Sequence, residues 1–142
     1  MPLKLQNYFF SDCHIVYTPA TSENDKFSMP ANFSVSTKID EVKNHPGIWN
    51  IGVRVETLKT PDDTNRWYNF EFQIEAIGFF ENTDESDVTE KIKQMIHANG
   101  AAILLGAIRE RLASATATSP FGPYYLPALS LRFEKDKINR TK

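Results

Sequence analysis

Residues 99–133, NGAAILLGAIRERLASATATSPFGPYYLPALSLRF, decide the fold because a helical pattern in them runs directly into an extended one. Apolar residues recur at helical spacing at Leu105, Ile108 and Leu112, which predicts a helix over 101–118. The pair Ser119-Pro120 then ends the helix, because proline disfavours the helical region for the residue before it. A helix followed at once by an extended segment is therefore expected at this point of the chain.

The segment after this helix combines aromatic and leucine side chains with residues that prevent another helix. The backbone is restricted by proline at positions 120, 123 and 127, and it is freer at Gly122. The apolar side chains that these residues space are Phe121, Tyr124, Tyr125, Leu126, Leu129, Leu131 and Phe133. On composition alone, these rings fasten a loop to the core, or they form an exposed apolar surface.

Upstream, four strand-like segments precede two helix-like ones, which predicts an α+β domain with an antiparallel sheet. The strands are predicted over 3–17, 33–40, 51–56 and 67–80, with Asn44-His45-Pro46-Gly47 as a hairpin turn. A short helix is predicted to begin at the capping-box-like Asp87 and to end at Asn99-Gly100. The long crossover over 19–31, which contains Phe27 and Met29, is of a length that is often functional.

Two strands carry more apolar side chains than one buried face needs. Strict alternation along the first strand puts Leu5, Phe9, Cys13 and Ile15 on one face and Tyr8, Phe10 and Val16 on the other. In the fourth strand, Ile77 and Phe79 continue a face that is polar before them. This face is either covered by another part of the structure or an assembly surface, and we expect Ile77 and Phe79 to lie in an oligomer interface.

The composition excludes several classes of function. The 142 residues suit a single domain over 1–142, with residues 134–142 expected to be a short, basic, disordered tail. A net charge of −2, from 16 basic and 18 acidic residues, provides no field for nucleic acid. No apolar run is long enough for membrane insertion and the first residues show no signal-peptide pattern, so a cytoplasmic location is expected.

Residues that could carry catalysis are scattered. His14, His45 and His97 lack metal-ligand spacing, and Cys13 neighbours His14 on a strand, where adjacent side chains point to opposite faces. No glycine-rich loop for a phosphate is present. The sequence predicts no enzyme activity, no metal and no cofactor.

Three segments, in this order and at this spacing, resemble the SecB-type protein-export chaperones. They are YFFSDCHI over 8–15, FEFQIEAIGFF over 70–80, and PFGPYYLP over 120–127. The resemblance covers nearly the whole chain. It implies a SecB-like α+β fold: a four-stranded antiparallel sheet with a long crossover loop, followed by two helices packed on one face.

The resemblance also implies a function, that of an ATP-independent holdase that keeps unfolded preproteins competent for export and delivers them to SecA. In such chaperones the crossover loop and the segment after the long helix border an apolar client groove, and the family is a homotetramer, a dimer of dimers. The implied client-binding residues are Phe27, Met29, Phe121, Tyr124, Tyr125 and Leu126. The implied SecA-binding positions are Asp12, Glu71 and Gln73.

The sequence departs from the family pattern where export is concerned. Val16 stands where a glutamate is usual, and the tail after Phe133 is basic and short, without the acidic-flanked helix that docks SecA. A SecB-like chaperone dedicated to one client, such as the antitoxin of a toxin-antitoxin pair, is therefore an alternative. A small-ligand-binding or enzyme domain with the same α+β outline is an alternative of another class.

Overall fold

The described part of the chain is a four-stranded antiparallel sheet with one long helix packed on one face. The computed structural model describes residues 3–17, 33–57, 70–83, 88–118 and 122–126. The elements are β1 (Leu3–Tyr17), β2 (Phe33–Glu41), β3 (Ile48–Thr57), β4 (Phe70–Asn82) and α1 (Glu90–Thr116), and the strand order in the sheet is β1-β4-β3-β2. The predicted α+β class and antiparallel sheet are confirmed. The crossover over 19–31, Asp87 and the tail over 134–142 lie outside the described residues.

The core lies between α1 and the face of the sheet that we call the helix face. Alternate residues of β3 and β4 are buried there against Leu104 and Leu105 of α1. The fully buried ones include Ile51, Val53, Ile74 and Phe80. Each fully buried side chain of this size contributes about 1.5–3 kcal/mol relative to exposure. The opposite side of the sheet, which we call the open face, carries the other alternate residues, and it has no helix on it within the described chain.

Two register shifts in β1 change which of its side chains share a face. The pairing with β4 skips a residue between Leu5 and Asn7 and again between Phe10 and Asp12. Directly opposite residues of antiparallel strands point to the same side. Phe9, opposite Ile77, therefore lies on the open face, whereas Tyr8 and Phe10 face the helix. The strict alternation predicted for this strand is wrong at these three aromatics, because each bulge inserts one residue and reverses the order.

The helix region differs from the sequence prediction, since one helix replaces the expected two. Thr89 is the N-cap, and its Oγ1 accepts a hydrogen bond from the Ile92 N–H at 3.3 Å. The helix then continues through Asn99-Gly100 to Thr116, so the predicted helix end at that pair is wrong. A Cβ on Gly100 would collide with Cδ1 of Ile51 and lie 3.4 Å from the Phe80 ring. Glycine is present here because the helix approaches the sheet closely.

Candidate functional site

The segment after α1 folds back along the helix and is held by hydrogen bonds. Thr116 Oγ1 accepts from the Tyr124 N–H at 2.7 Å and donates to the Leu112 carbonyl at 2.7 Å. Two helical turns earlier, Arg109 Nε donates to the Leu126 carbonyl at 3.1 Å. Because Tyr124 is held near Thr116 and Leu126 near Arg109, residues 122–126 run back towards the start of the helix. We call residues 122–126 the return segment.

The return segment buries two side chains and exposes the one between them. Tyr124 and Leu126 are members of the core, and the Tyr124 ring lies 5.7 Å from the Phe72 ring. Burial raises the pKa of the Tyr124 hydroxyl. Tyr125 is 67% exposed. Tyr124 and Leu126 therefore anchor the segment, while Tyr125 presents a large ring to solvent.

These three are the only predicted client-binding residues that the structure describes. Phe27, Met29 and Phe121 lie outside the described residues. Within the single chain, the side chains of Tyr124 and Leu126 have almost no surface left for a ligand. Of the predicted set, Tyr125 alone is an accessible contact in the described part.

Two arginines on α1 have packing roles that the sequence did not indicate. The sequence pattern predicts that Arg109 and Arg111 lie on a solvated helix edge rather than in client contacts, and both residues are exposed. In the structure, Arg109 holds the return segment, and the guanidinium carbon of Arg111 lies 5.8 Å from the centre of the Phe10 ring. A cation over an aromatic ring adds roughly 0.5–1 kcal/mol at an exposed site. The two side chains connect the helix to the return segment and to β1.

The predicted partner-binding and oligomer residues all lie on the open face. Asp12, on β1, accepts a hydrogen bond at its Oδ2 from Gln73 Nε2 at 2.5 Å. Glu71 and Gln73 are on β4, on the same face as Ile77 and Phe79 further along the strand. The structure thus brings the two predicted surfaces together on one side of the sheet.

Arg54, which the sequence analysis did not single out, stands at the centre of the charged part of the open face. Its Nη1 lies 3.3 Å from Asp12 Oδ2 and 3.8 Å from Glu75 Oε2. Its Nε lies 3.6 Å from Glu56 Oε2, and Ser11 donates to Glu75 Oε1 at 2.6 Å. The four charged side chains are 22–40% exposed, so each ion pair contributes at most about 1 kcal/mol. The carboxylate of Asp12 is therefore already engaged within the chain.

Further along β4, the open face carries apolar side chains among polar ones. Ile77 and Phe79 are half-buried, and Phe9, which is opposite Ile77 on β1, is 46% exposed. Tyr8 and Val16, on the same strand, are exposed to a similar degree. β1 thus carries exposed apolar side chains on both faces of the sheet.

Among the described residues, no three His, Cys, Asp or Glu side chains are placed so that they could hold a metal ion. Cys13 and His14 pair with Ile74 and Gln73, which point to opposite faces, so a nucleophile-base pair is not formed. In the described part of the chain, no helix is both apolar and long enough to cross a membrane.

Comparison with known proteins identifies the fold. No family model matches the chain. An uncharacterised protein of Methanocaldococcus jannaschii is 23% identical over 140 residues, covering 99% of this chain and 86% of that protein. A protein of unknown function from Streptococcus agalactiae superposes with a TM-score of 0.43 at 16% identity, over 94% of this chain and 98% of the other.

One solved structure is considerably more similar in three dimensions. It is a SecB-like chaperone of Mycobacterium tuberculosis in complex with a peptide from the HigA1 antitoxin. It superposes with a TM-score of 0.63 at 14% identity, over 89% of this chain and 90% of that one. The similarity extends over nearly the whole of both chains, as the sequence resemblance does, and the chain has the fold of the SecB-like chaperones.

Proposed function

We propose that this protein is a molecular chaperone that holds extended, non-native polypeptide without ATP. The observation that carries the proposal is Tyr125, a large ring 67% exposed on a segment that buried neighbours hold in place. A fixed, exposed aromatic can cover apolar side chains of many sequences with little loss of its own conformational entropy. Binding the unfolded state of a client shifts that client away from folding and aggregation by mass action.

A role in binding one dedicated client fits the features of this chain better than a general role in protein export does. The Mycobacterium chaperone of the same fold was solved with a peptide from an antitoxin. In this chain, Asp12 is bonded to Arg54 and Gln73, so a partner that binds its carboxylate would have to displace the Arg54 guanidinium. We therefore propose an antitoxin-like or other single protein as client. Weaker, salt-sensitive contact with SecA through Asp12, Glu71 and Gln73 is the second candidate.

Tyr125→Ser is expected to weaken capture of an unfolded polypeptide at least tenfold. Covering one aromatic anchor contributes on the order of 1.5–3 kcal/mol, and 1.4 kcal/mol corresponds to tenfold in affinity. The measurement is the fluorescence anisotropy of labelled, reduced and carboxymethylated lactalbumin, a chain that cannot refold. Tyr125→Phe, which retains the ring, is the matched control and should bind like the parent.

The result separates the chaperone from the alternatives. If the parent captures no unfolded chain but binds a small molecule, the fold serves a ligand-binding or enzymatic role. If Tyr125→Ser captures as well as the parent, the client surface lies elsewhere in the chain.

Phe79→Glu is expected to dissociate an oligomer, for which we propose a homotetramer built as a dimer of dimers. Ile77, Phe79 and Phe9 are apolar side chains of the open face, and an interface that covers them would bury a carboxylate at position 79. Light scattering at micromolar concentration should show a smaller mass for this variant. Ser36→Glu puts the same charge on the open face of β2 and should leave the mass unchanged. A monomeric parent would refute the proposal.

A further inference from the structure

The two edge strands of the sheet differ in regularity. β1 contains two register shifts, and bulges of this kind interrupt an edge and discourage further pairing. β2 pairs with β3 without a shift from Phe33↔Thr57 to Glu41↔Trp49. Within the described residues no strand lies beside the outer side of β2. β2 is thus the edge best formed to accept another strand.

The direction of the backbone groups along β2 follows from the hairpin. The Val42 N–H donates to the Ile48 carbonyl at 2.9 Å, so position 42 bonds inward, towards β3. In an antiparallel pair the bonded positions alternate. Even-numbered residues of β2 therefore bond to β3, and the odd-numbered ones direct N–H and C=O outward. The outward residues are Phe33, Val35, Thr37, Ile39 and Glu41.

The side chains along this edge give it one apolar and one polar side. Phe33, Val35 and Ile39 are half-buried on the helix face, where they pack against the rim of the core. The alternate positions, Ser34, Ser36, Lys38 and Asp40, are polar and lie on the open face. A strand added here would place every second side chain beside the apolar rim and the others beside polar groups.

We propose that the outer edge of β2 binds an extended client segment as an added strand. The inference rests on the proposed chaperone function and specifies how the client is recognised. Hydrogen bonds to the backbone do not depend on the client's side chains, while an apolar rim selects segments with alternating apolar residues. The edge can therefore hold an unfolded client segment mainly through its backbone.

A client segment fits this edge better than a second copy of the chain does. The large hydrophobic side chains that are exposed on the described strands, Tyr8, Phe9 and Val16, are all on β1. A stable homodimer interface is apolar and buries at least about 1,000 Å². β2 offers a half-buried apolar row and outward backbone groups, which suit binding that can be reversed.

Amide hydrogen exchange read by NMR tests the proposal directly, with reduced and carboxymethylated lactalbumin as the probe. On binding, the amides of residues 33, 35, 37, 39 and 41 should gain at least tenfold protection. Those of residues 34, 36, 38 and 40, already bonded to β3, should change little. Odd-numbered amides that become protected with rising protein concentration and no probe would instead show pairing of two copies, and would overturn the proposal.

A substitution pair provides the second arm. Val35→Pro removes one outward N–H, and proline is tolerated where an edge N–H faces away from the sheet. We expect Val35→Pro to raise the Kd for the probe about tenfold, and Val35→Ala, which removes only side-chain atoms, less than threefold. If Val35→Pro fails to fold, the exchange measurement on the parent tests the proposal by itself: protection of the odd-numbered β2 amides alone supports strand addition, and its absence contradicts it. Capture by the parent with unchanged β2 amides would overturn strand addition alone, whereas no capture would overturn the chaperone function itself.

Discussion

Gly100→Val is expected to lower the free energy of unfolding by about 2–3 kcal/mol, because the helix and sheet leave no room for a side chain there. The first added carbon would collide with Cδ1 of Ile51 and press on the ring of Phe80 at 3.4 Å. Both of these residues are fully buried, so neither has free space to move into. Chemical denaturation of the parent and the variant under identical conditions measures the difference.

Gly106→Ala is the matched control on the same helix. Nothing lies within 4 Å of the position that its Cβ would occupy, and the residue is exposed. Alanine should therefore raise the free energy of unfolding by roughly 0.5–1 kcal/mol through helix propensity alone. If Gly100→Val raised the free energy of unfolding as well, the close approach of α1 to the sheet would not exist in solution.

This pair of glycines shows where local sequence stops being informative. Asn99-Gly100 has the composition of a helix end, and nothing within a few residues of it contradicts that interpretation. The deciding contact is with Ile51 on β3, about fifty residues away in sequence. Tertiary packing overrides a local stop signal here, because a continuous helix buries residues on both sides of Gly100.

The sequence predicted the faces of a strand correctly where successive residues point to opposite sides without a bulge. β2, β3 and β4 pair with one another without a bulge, and their buried faces agree with the alternation of apolar and polar residues in the sequence. β1 has two bulges, and no glycine or proline marks either of them in the sequence. The faces of Tyr8, Phe9 and Phe10 therefore needed the three-dimensional pairing.

The site was predictable only in part. The composition of residues 120–127 predicted a non-helical segment after the helix, and the described residues 122–126 are not helical. The spacing of these residues would also have indicated which side chains are buried. In an extended segment, alternate residues such as Tyr124 and Leu126 point to the same side, and Tyr125 points to the opposite side. The pairing of Arg54 with Asp12 and Glu75 had no local signal, since it joins three strands.

The free energy of unfolding is expected to decrease as the pH falls from about 6.5 to about 4, because the buried His97 is held neutral in the folded protein. The side chain is 1% exposed on the sheet-facing side of α1. Loss of solvation there, with a smaller effect of the neighbouring Lys93 charge, lowers the pKa of His97 from 6.5 to about 4. The folded protein therefore holds this imidazole neutral, whereas the unfolded chain protonates it below pH 6.5.

The sign and size of the effect follow from this difference in proton binding. Stability from this group is complete above pH 6.5 and is lost as the pH falls towards 4, because the unfolded state then binds the additional proton. A shift of this size corresponds to about 3 kcal/mol in total, at about 1.4 kcal/mol per pH unit. Denaturation midpoints between pH 7 and pH 4 should fall steeply for the parent and much less for His97→Leu. His45→Ala, at an exposed turn position, should follow the parent. Equal slopes for the parent and His97→Leu would show that another group controls the acid sensitivity.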